Sequence, residues 1–325
     1  MPARLDRLRE RALERAFRWF LTHRRDYAIQ AVADQCSWED WERNGFNLTE
    51  AGFYSPIPPI HDLPDDIWTR RSDLPGIDVR EDAQVALLHE LRAAYGAEWD
   101  ALPEYADDPS RFQLRNMTFE SVDAEIAYGL IRRTGPARIV EIGSGWSTLL
   151  ALEALERNAA DGRPGAVTAC EPYPSGALEL AAESGRVELV VEPVQRVPLD
   201  VFLALGDGDV LFVDSSHVCR IGSDVQYEFL DVLPRLAPGV LVHVHDIFLP
   251  YEYPQSWVEA EKRFWNEQYV LQAFLAFNDA YEVVWMSGWM SAFHADELDT
   301  AIRSFDPAVN RPGSVWLRRR PLSNT

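Results

Sequence analysis

The order of apolar runs in this chain predicts an α/β fold: a mostly parallel sheet flanked by helices, an antiparallel last strand, and a mainly helical N-terminal extension. Three observations carry that expectation. Five short apolar runs stand at 138–142, 166–170, 187–191, 209–213 and 239–244. Segments of helical period separate them, the signature of βαβ units and a sheet covered on both faces. After the fifth run the chain reads helix, strand, helix, strand, and an antiparallel final strand is common at the edge of such a sheet.

Taken in order, residues 3–22 read as a helix, because Leu5, Leu8, Ala12, Ala16 and Phe20 recur at three- and four-residue steps. Residues 44–78 have no sustained period, and FYSPIPPIHDLPDD looks like an extended segment pinned by prolines. Helical spacing returns over 80–97, and 98–118 is again polar and irregular. Residues 1–118 are therefore read as a helical and irregular cap, and 119–325 as the sheet domain. Within the latter, helices are expected at 121–133, along STLLALEALERN, at 175–184, 198–205 and 223–235, as one long helix over 256–278, and at 294–304. YEVVWM and SVWLRR supply the last two strands.

Composition narrows the function classes. Hydrophobic residues make up 47% and charged residues 26% of the 325 positions, which suits a globular core rather than a disordered chain. No apolar run approaches the roughly 18 residues of a membrane span, and the charged N-terminus lacks the apolar heart of a signal peptide. Cys36, Cys170 and Cys219 are too few and too scattered for a disulfide framework or a cysteine zinc cluster. These features are read as a soluble cytoplasmic protein. The net charge of −21 disfavours a phosphate backbone as partner. Residues 1–25 run against that balance, with eight arginines to three acids, and could dock on an acidic face of a second copy in a homo-oligomer.

In open α/β sheets ligands bind beyond the carboxyl ends of the strands, so the residues just after each apolar run carry the chemistry. The first run ends in Glu141-Ile142-Gly143-Ser144-Gly145-Trp146-Ser147-Thr148. Its glycines let the backbone turn tightly and approach a ligand, and the following helix offers its N-terminal N–H groups. Neither a third glycine nor a Gly-Lys-Ser/Thr ending is present, so a P-loop is excluded. The second run ends in Glu171, an acid placed to accept ribose hydroxyls. The fourth ends in Asp214-Ser215-Ser216-His217 and the fifth in His243-Val244-His245-Asp246. Carboxylate and imidazole together suit a divalent cation, and histidine suits a general base near neutral pH. Strand alternation puts His243 and His245 on one face.

Taken with FYSPIPP, VEIGSGWST, FVDSSHV, GSDV and HVHDIFLPYEYP, these strand ends resemble class I S-adenosylmethionine-dependent methyltransferases with a Rossmann-like sheet. More narrowly they resemble a bacterial group related to the O-methyltransferases of sugars and natural products. The resemblance implies that Glu141, Gly143, Ser144, Gly145, Trp146, Ser147, Glu171 and Asp214 bind S-adenosylmethionine. It implies a divalent ion on Asp214 and Asp246 and His217 as base; this chain departs from the pattern with His245 where such enzymes often have a second acid, so His245 is read as a third ligand for magnesium, manganese or iron and as a second candidate base. Tyr54, Tyr251 and Tyr253 are candidates for the substrate pocket. The expected reaction is O-methylation of a hydroxylated small molecule. Alternatives are another S-adenosylmethionine-using transferase, a nicotinamide oxidoreductase and a non-catalytic metabolite-binding protein.

Overall fold

The computed structural model describes residues 11, 14–16, 18–19, 22–23, 37–45, 47, 52–108 and 110–321. The helix expected over 3–22 and the Arg-rich segment around it lie largely outside the described residues. The chain forms two compact units, 1–63 and 64–325. In the first, α1 (Trp38–Arg43) starts at Ser37, whose hydroxyl accepts from the Asp40 N–H.

The second unit holds the sheet. α2 (Glu81–Trp99) and α3 (Asp123–Thr134) come first. Then follow β1 (Arg138–Ile142), α4 (Trp146–Ala160), β2 (Ala166–Cys170), α5 (Gly176–Glu183) and β3 (Val187–Val190). Next are α6 (Leu199–Leu203), β4 (Val210–Val213), α7 (Asp224–Tyr227) and β5 (Leu241–His245). α8 (Gln255–Glu259), α9 (Glu267–Leu275), β6 (Tyr281–Met286), α10 (Ser287–Phe293), α11 (Ala295–Ala301) and β7 (Ser314–Arg319) complete it.

The seven-stranded sheet has the order β3-β2-β1-β4-β5-β7-β6. The first five strands are mutually parallel, and β7 runs antiparallel between β5 and β6. The order reverses between β1 and β4, so the crevice for a ligand lies at their carboxyl ends. Alternation along the strands divides the core in two. Ile139, Val210, Phe212, Leu241 and Trp316 pack with α2, α3 and α4 on one face. Val140, Leu211, Val213, Val242 and Val244 pack with Phe202, Phe229 and Leu271 on the other.

The compact units divide at 63/64, and Leu87, Leu88, Leu91 and Trp99 of α2 belong to the same buried cluster as the sheet. Two sequence expectations are corrected. The long helix expected over 256–278 is two helices, α8 and α9, with Lys262 at φ +61 in the break. There the Asn266 side chain accepts the Cys219 N–H, and the N–H groups of Asn266 and Glu267 donate to the His217 carbonyl. Apolar periodicity hides such a break, since these bonds reach some 50 residues away along the chain. The helix expected over 223–235 begins at Asp224 but turns into a wider π-type turn over Glu228–Val232 and a tight turn at Leu233–Arg235, where Pro234 withholds an N–H.

Candidate functional site at the strand ends

The β1–α4 turn is shaped by its own acid. Both oxygens of Glu141 are taken up, accepting from the hydroxyls of Ser147 and Thr148 at 2.5 Å each. Thr148 in turn accepts the Gly145 N–H at 3.1 Å. Burial pushes the Glu141 carboxyl up to about 8 despite these donors. Glu141 therefore fastens the helix start to the strand end. Gly143 sits at φ +76, and a Cβ there would lie 1.8 Å from the Asp214 carbonyl oxygen. Only glycine allows that approach. Beside Gly145 a Cβ would meet nothing within 4 Å, so this side of the turn is open. Ser144 Oγ is buried and has no partner among the described residues. Trp146 opens α4 and packs, half-buried, on the core.

Glu171, at the tip of β2, reaches back to this turn. Its Oε2 accepts the Ser144 N–H at 3.2 Å and its Oε1 the Tyr173 N–H at 2.7 Å. A carboxylate has about four acceptor positions, so two remain for a ligand's hydroxyls. The cradle thus offers an open glycine turn, an unpartnered serine hydroxyl and a half-used carboxylate, which fits S-adenosylmethionine.

The second half of the site follows β4 and β5. Asp214, His217 and Asp246 each offer one ligand atom, all within 4.8 Å of one another. His217 Nε2 lies 3.3 Å from Asp214 Oδ1 and 3.5 Å from Asp246 Oδ2. Its Nδ1 is held by Glu267 Oε2 at 2.8 Å, a contact that fixes the ring. His217 (φ +60) and Asp246 (φ +55) both adopt the left-handed conformation, costing about 1–3 kcal/mol each, as strained functional positions do. The Trp265 ring lies against His217, 4.3 Å between centroids.

Charge in this cluster is unbalanced. Burial works against a proton on His217, but Asp214 and Glu267 outweigh it and hold its pKa well above the ordinary range. Burial would raise Asp214, yet His245 and His217 pull it down to about 2. Asp246 is raised, because burial outweighs the pull of His245 and His217. Behind them, burial also raises Glu267 and Glu228, and Glu228 accepts from Ser215 Oγ at 3.2 Å.

His217 converges with the two aspartates, whereas the ligand expected beside them from the sequence is His245. His245 Nε2 instead lies 3.1 Å from the Thr118 carbonyl oxygen and 3.8 Å from Asp246, and its Nδ1 is buried without a partner. Two carboxylates and one imidazole, with a further carboxylate steadying that imidazole, fit a hard divalent cation. His243 does not join the site. Its ring stacks on Phe212 at 3.8 Å in the core, and burial holds it neutral, well below the ordinary range.

The tyrosines separate. Tyr253 is 3% exposed and its hydroxyl accepts the Gln268 N–H at 3.0 Å, so it is a packing residue rather than part of a pocket. Tyr251 accepts from Arg71 Nε at 2.6 Å. Tyr54 is 95% exposed and belongs to the other compact unit. Glu267, Glu228 and Trp265 escaped the sequence reading. Glu267 lies 50 residues from its histidine and no spacing rule links them.

Residues 140–247, from β1 through the turn after β5, match a family described as a methyltransferase domain. An Archaeoglobus fulgidus protein described as uncharacterized is 34% identical over 164 residues, covering 47% of this chain and 71% of the relative. Among solved structures, the chain is similar to an O-methyltransferase from Bacillus cereus in complex with S-adenosylhomocysteine. That match has 14% identity, a TM-score of 0.35, and covers 72% of this chain and 91% of the other. It is also similar to a Burkholderia thailandensis 1,6-didemethyltoxoflavin-N1-methyltransferase with bound 1,6-didemethyltoxoflavin and S-adenosylhomocysteine. Here identity is 16%, the TM-score 0.33, and coverage 77% and 94%.

Proposed function

Because the chain belongs to the S-adenosylmethionine-dependent methyltransferases of class I fold, we propose that it methylates an oxygen of a hydroxylated small molecule held at the Asp214–His217–Asp246 cluster. The observation that carries this reading is the Glu267–His217 contact at 2.8 Å. It aims Nε2 between two strand-end carboxylates, and one of these, Asp214, has its backbone against the glycine turn. In this reading Gly143, Ser144 and Gly145 receive the methionine part of the cofactor, and Glu171 the ribose hydroxyls. Trp146 and Ser147 shape the helix start beside them. When bound, the cofactor supplies an electrophilic methyl group. Against burial, Asp214 and Glu267 raise the His217 pKa well above the ordinary range, so His217 must first give up its proton; the neutral ring then takes the hydroxyl proton, and the same carboxylates steady the imidazolium that forms. Holding the two reactants in line supplies most of the acceleration.

A second reading is favoured by charge: three carboxylates, of Asp214, Asp246 and Glu267, face one imidazole. There Asp214, His217 and Asp246 would hold a divalent ion, which when bound supplies Lewis-acid polarisation of the hydroxyl. His245 is then the remaining base.

The test is release of S-adenosylhomocysteine in the presence of a panel of sugars and phenols, before and after exhaustive chelation. His217→Ala should lower turnover by about 10²–10⁴ with S-adenosylhomocysteine affinity within a few fold of the parent. Loss of activity on chelation, restored by a divalent ion, selects the second reading. Failure of S-adenosylhomocysteine to bind in calorimetry overturns both.

A further inference from the structure

Three consecutive residues at the entry to α9, 265–267, all close on the connection that carries His217. Trp265 lays its ring against the imidazole, 4.3 Å between centroids and tilted by 37°. Glu267 Oε2 holds Nδ1 at 2.8 Å. Between them Asn266 works on the backbone. Its side-chain oxygen accepts the Cys219 N–H at 2.6 Å, and its side-chain N–H donates to the Cys219 carbonyl at 3.3 Å. The main-chain N–H groups of Asn266 and Glu267 both donate to the His217 carbonyl, at 3.1 and 3.2 Å. The Asn266 amide thus meets Cys219 as a neighbouring strand would, in a stretch that belongs to no helix or strand.

His217 needs such a hold. At φ +60 it occupies a conformation that persists only where the surroundings over-determine it. On its other side the ties are local. Ser216 donates its N–H and its hydroxyl to Asp224, eight residues ahead in the same connection, so that pair can shift together with the histidine. The 265–267 side is footed in the core: Gln268 accepts the Phe248 N–H at 3.2 Å, and Leu271 is fully buried. We propose that Asn266 is a positioning residue for the reaction. It pins the backbone of 217–219 to α9, which keeps Nε2 between Asp214 and Asp246. The side chains of Trp265 and Glu267 reach only the ring, whereas Asn266 fixes the place where the ring is attached. This rests on the reading that His217 serves methyl transfer, and it holds whether His217 is base or ligand.

Histidine carrying ¹³C in its ring, incorporated into the full chain, reads the placement directly by NMR. The Trp265 ring current displaces the His217 signal, which is assigned as the one missing in His217→Ala. Asn266→Ala should move that signal toward the position of an exposed histidine. The signal of His243, stacked on Phe212 in the core, should stay in place and show that the variant is folded. On the acceptor of the sugar and phenol panel that turns over, kcat should fall about 10–10²-fold, with KM for S-adenosylmethionine changed less than about threefold. The parent alone supplies a further measurement, which decides if Asn266→Ala fails to fold. Its Cys219 amide, in a loop but held by Asn266, should exchange with solvent at least about 10²-fold more slowly than an unstructured amide. An unmoved His217 signal in folded Asn266→Ala, an unchanged kcat, or a Cys219 amide that exchanges as fast as an unstructured one would each overturn the proposal. The histidine signal and the amide need no acceptor. Failure of the methyl-transfer reading, seen as no binding of S-adenosylhomocysteine, is therefore distinct from failure of the Asn266 hold.

Discussion

At the scale of single residues, the strand ends were readable because chemistry-bearing side chains cluster where the topology ends each apolar run. Gly143, Glu171, Asp214, His217 and Asp246 all fall there. What the sequence could not tell is which way a side chain is spent. Glu141 stands in the glycine motif, yet both its oxygens serve the helix start. His245 is adjacent to Asp246 in sequence, yet its Nε2 faces a backbone carbonyl. Glu141 also gives a pH prediction. Its folded pKa of about 8 exceeds its ordinary 4.5, so the folded state binds the extra proton. The stability it contributes is complete below pH 4.5 and is lost as pH rises through about 8. Urea midpoints of the parent should fall across that window, and Glu141→Gln, which cannot ionise, should flatten the fall. Parallel curves for the two proteins would show that Glu141 does not titrate there.

At the scale of elements, β1, β2, β6 and β7 start and end where the apolar runs do. Helices fared less well, for a physical reason. Periodicity reports which face is buried, and it continues unbroken when two helices bury the same face in succession. The α8–α9 break is fixed instead by long-range bonds to His217 and Cys219. The β1–α4 turn is the element most sensitive to one added carbon. Gly143→Ala would force a side chain into the left-handed region and into the Asp214 carbonyl. The expected cost is roughly 2–6 kcal/mol, from backbone strain and overpacking together. Chemical denaturation would measure it, and a loss under 1 kcal/mol would mean that β1 and β4 can slide apart there.

For the whole molecule, every buried apolar side chain among the described residues lies at Leu74 or beyond. A chain beginning at Pro64 should therefore unfold in one cooperative transition within about 5 °C of the full protein. Calorimetry checks this, and a broad transition would show that the first unit supports the second. The same global accounting has an outcome at position 246. There an ionisable group sits in a left-handed backbone, and its surroundings favour its neutral form. Asparagine accepts that backbone equally well and carries no charge. Asp246→Asn should raise stability by about 0.5–2 kcal/mol in thermal melts while abolishing methyl transfer. Foldedness and activity thus rank the two residues in opposite order. A population of variants screened only for solubility or yield would drift toward asparagine at 246, and one screened for turnover would hold the acid. Sorting a mutant library both ways would turn that one backbone torsion into a readout of what the chain is kept for.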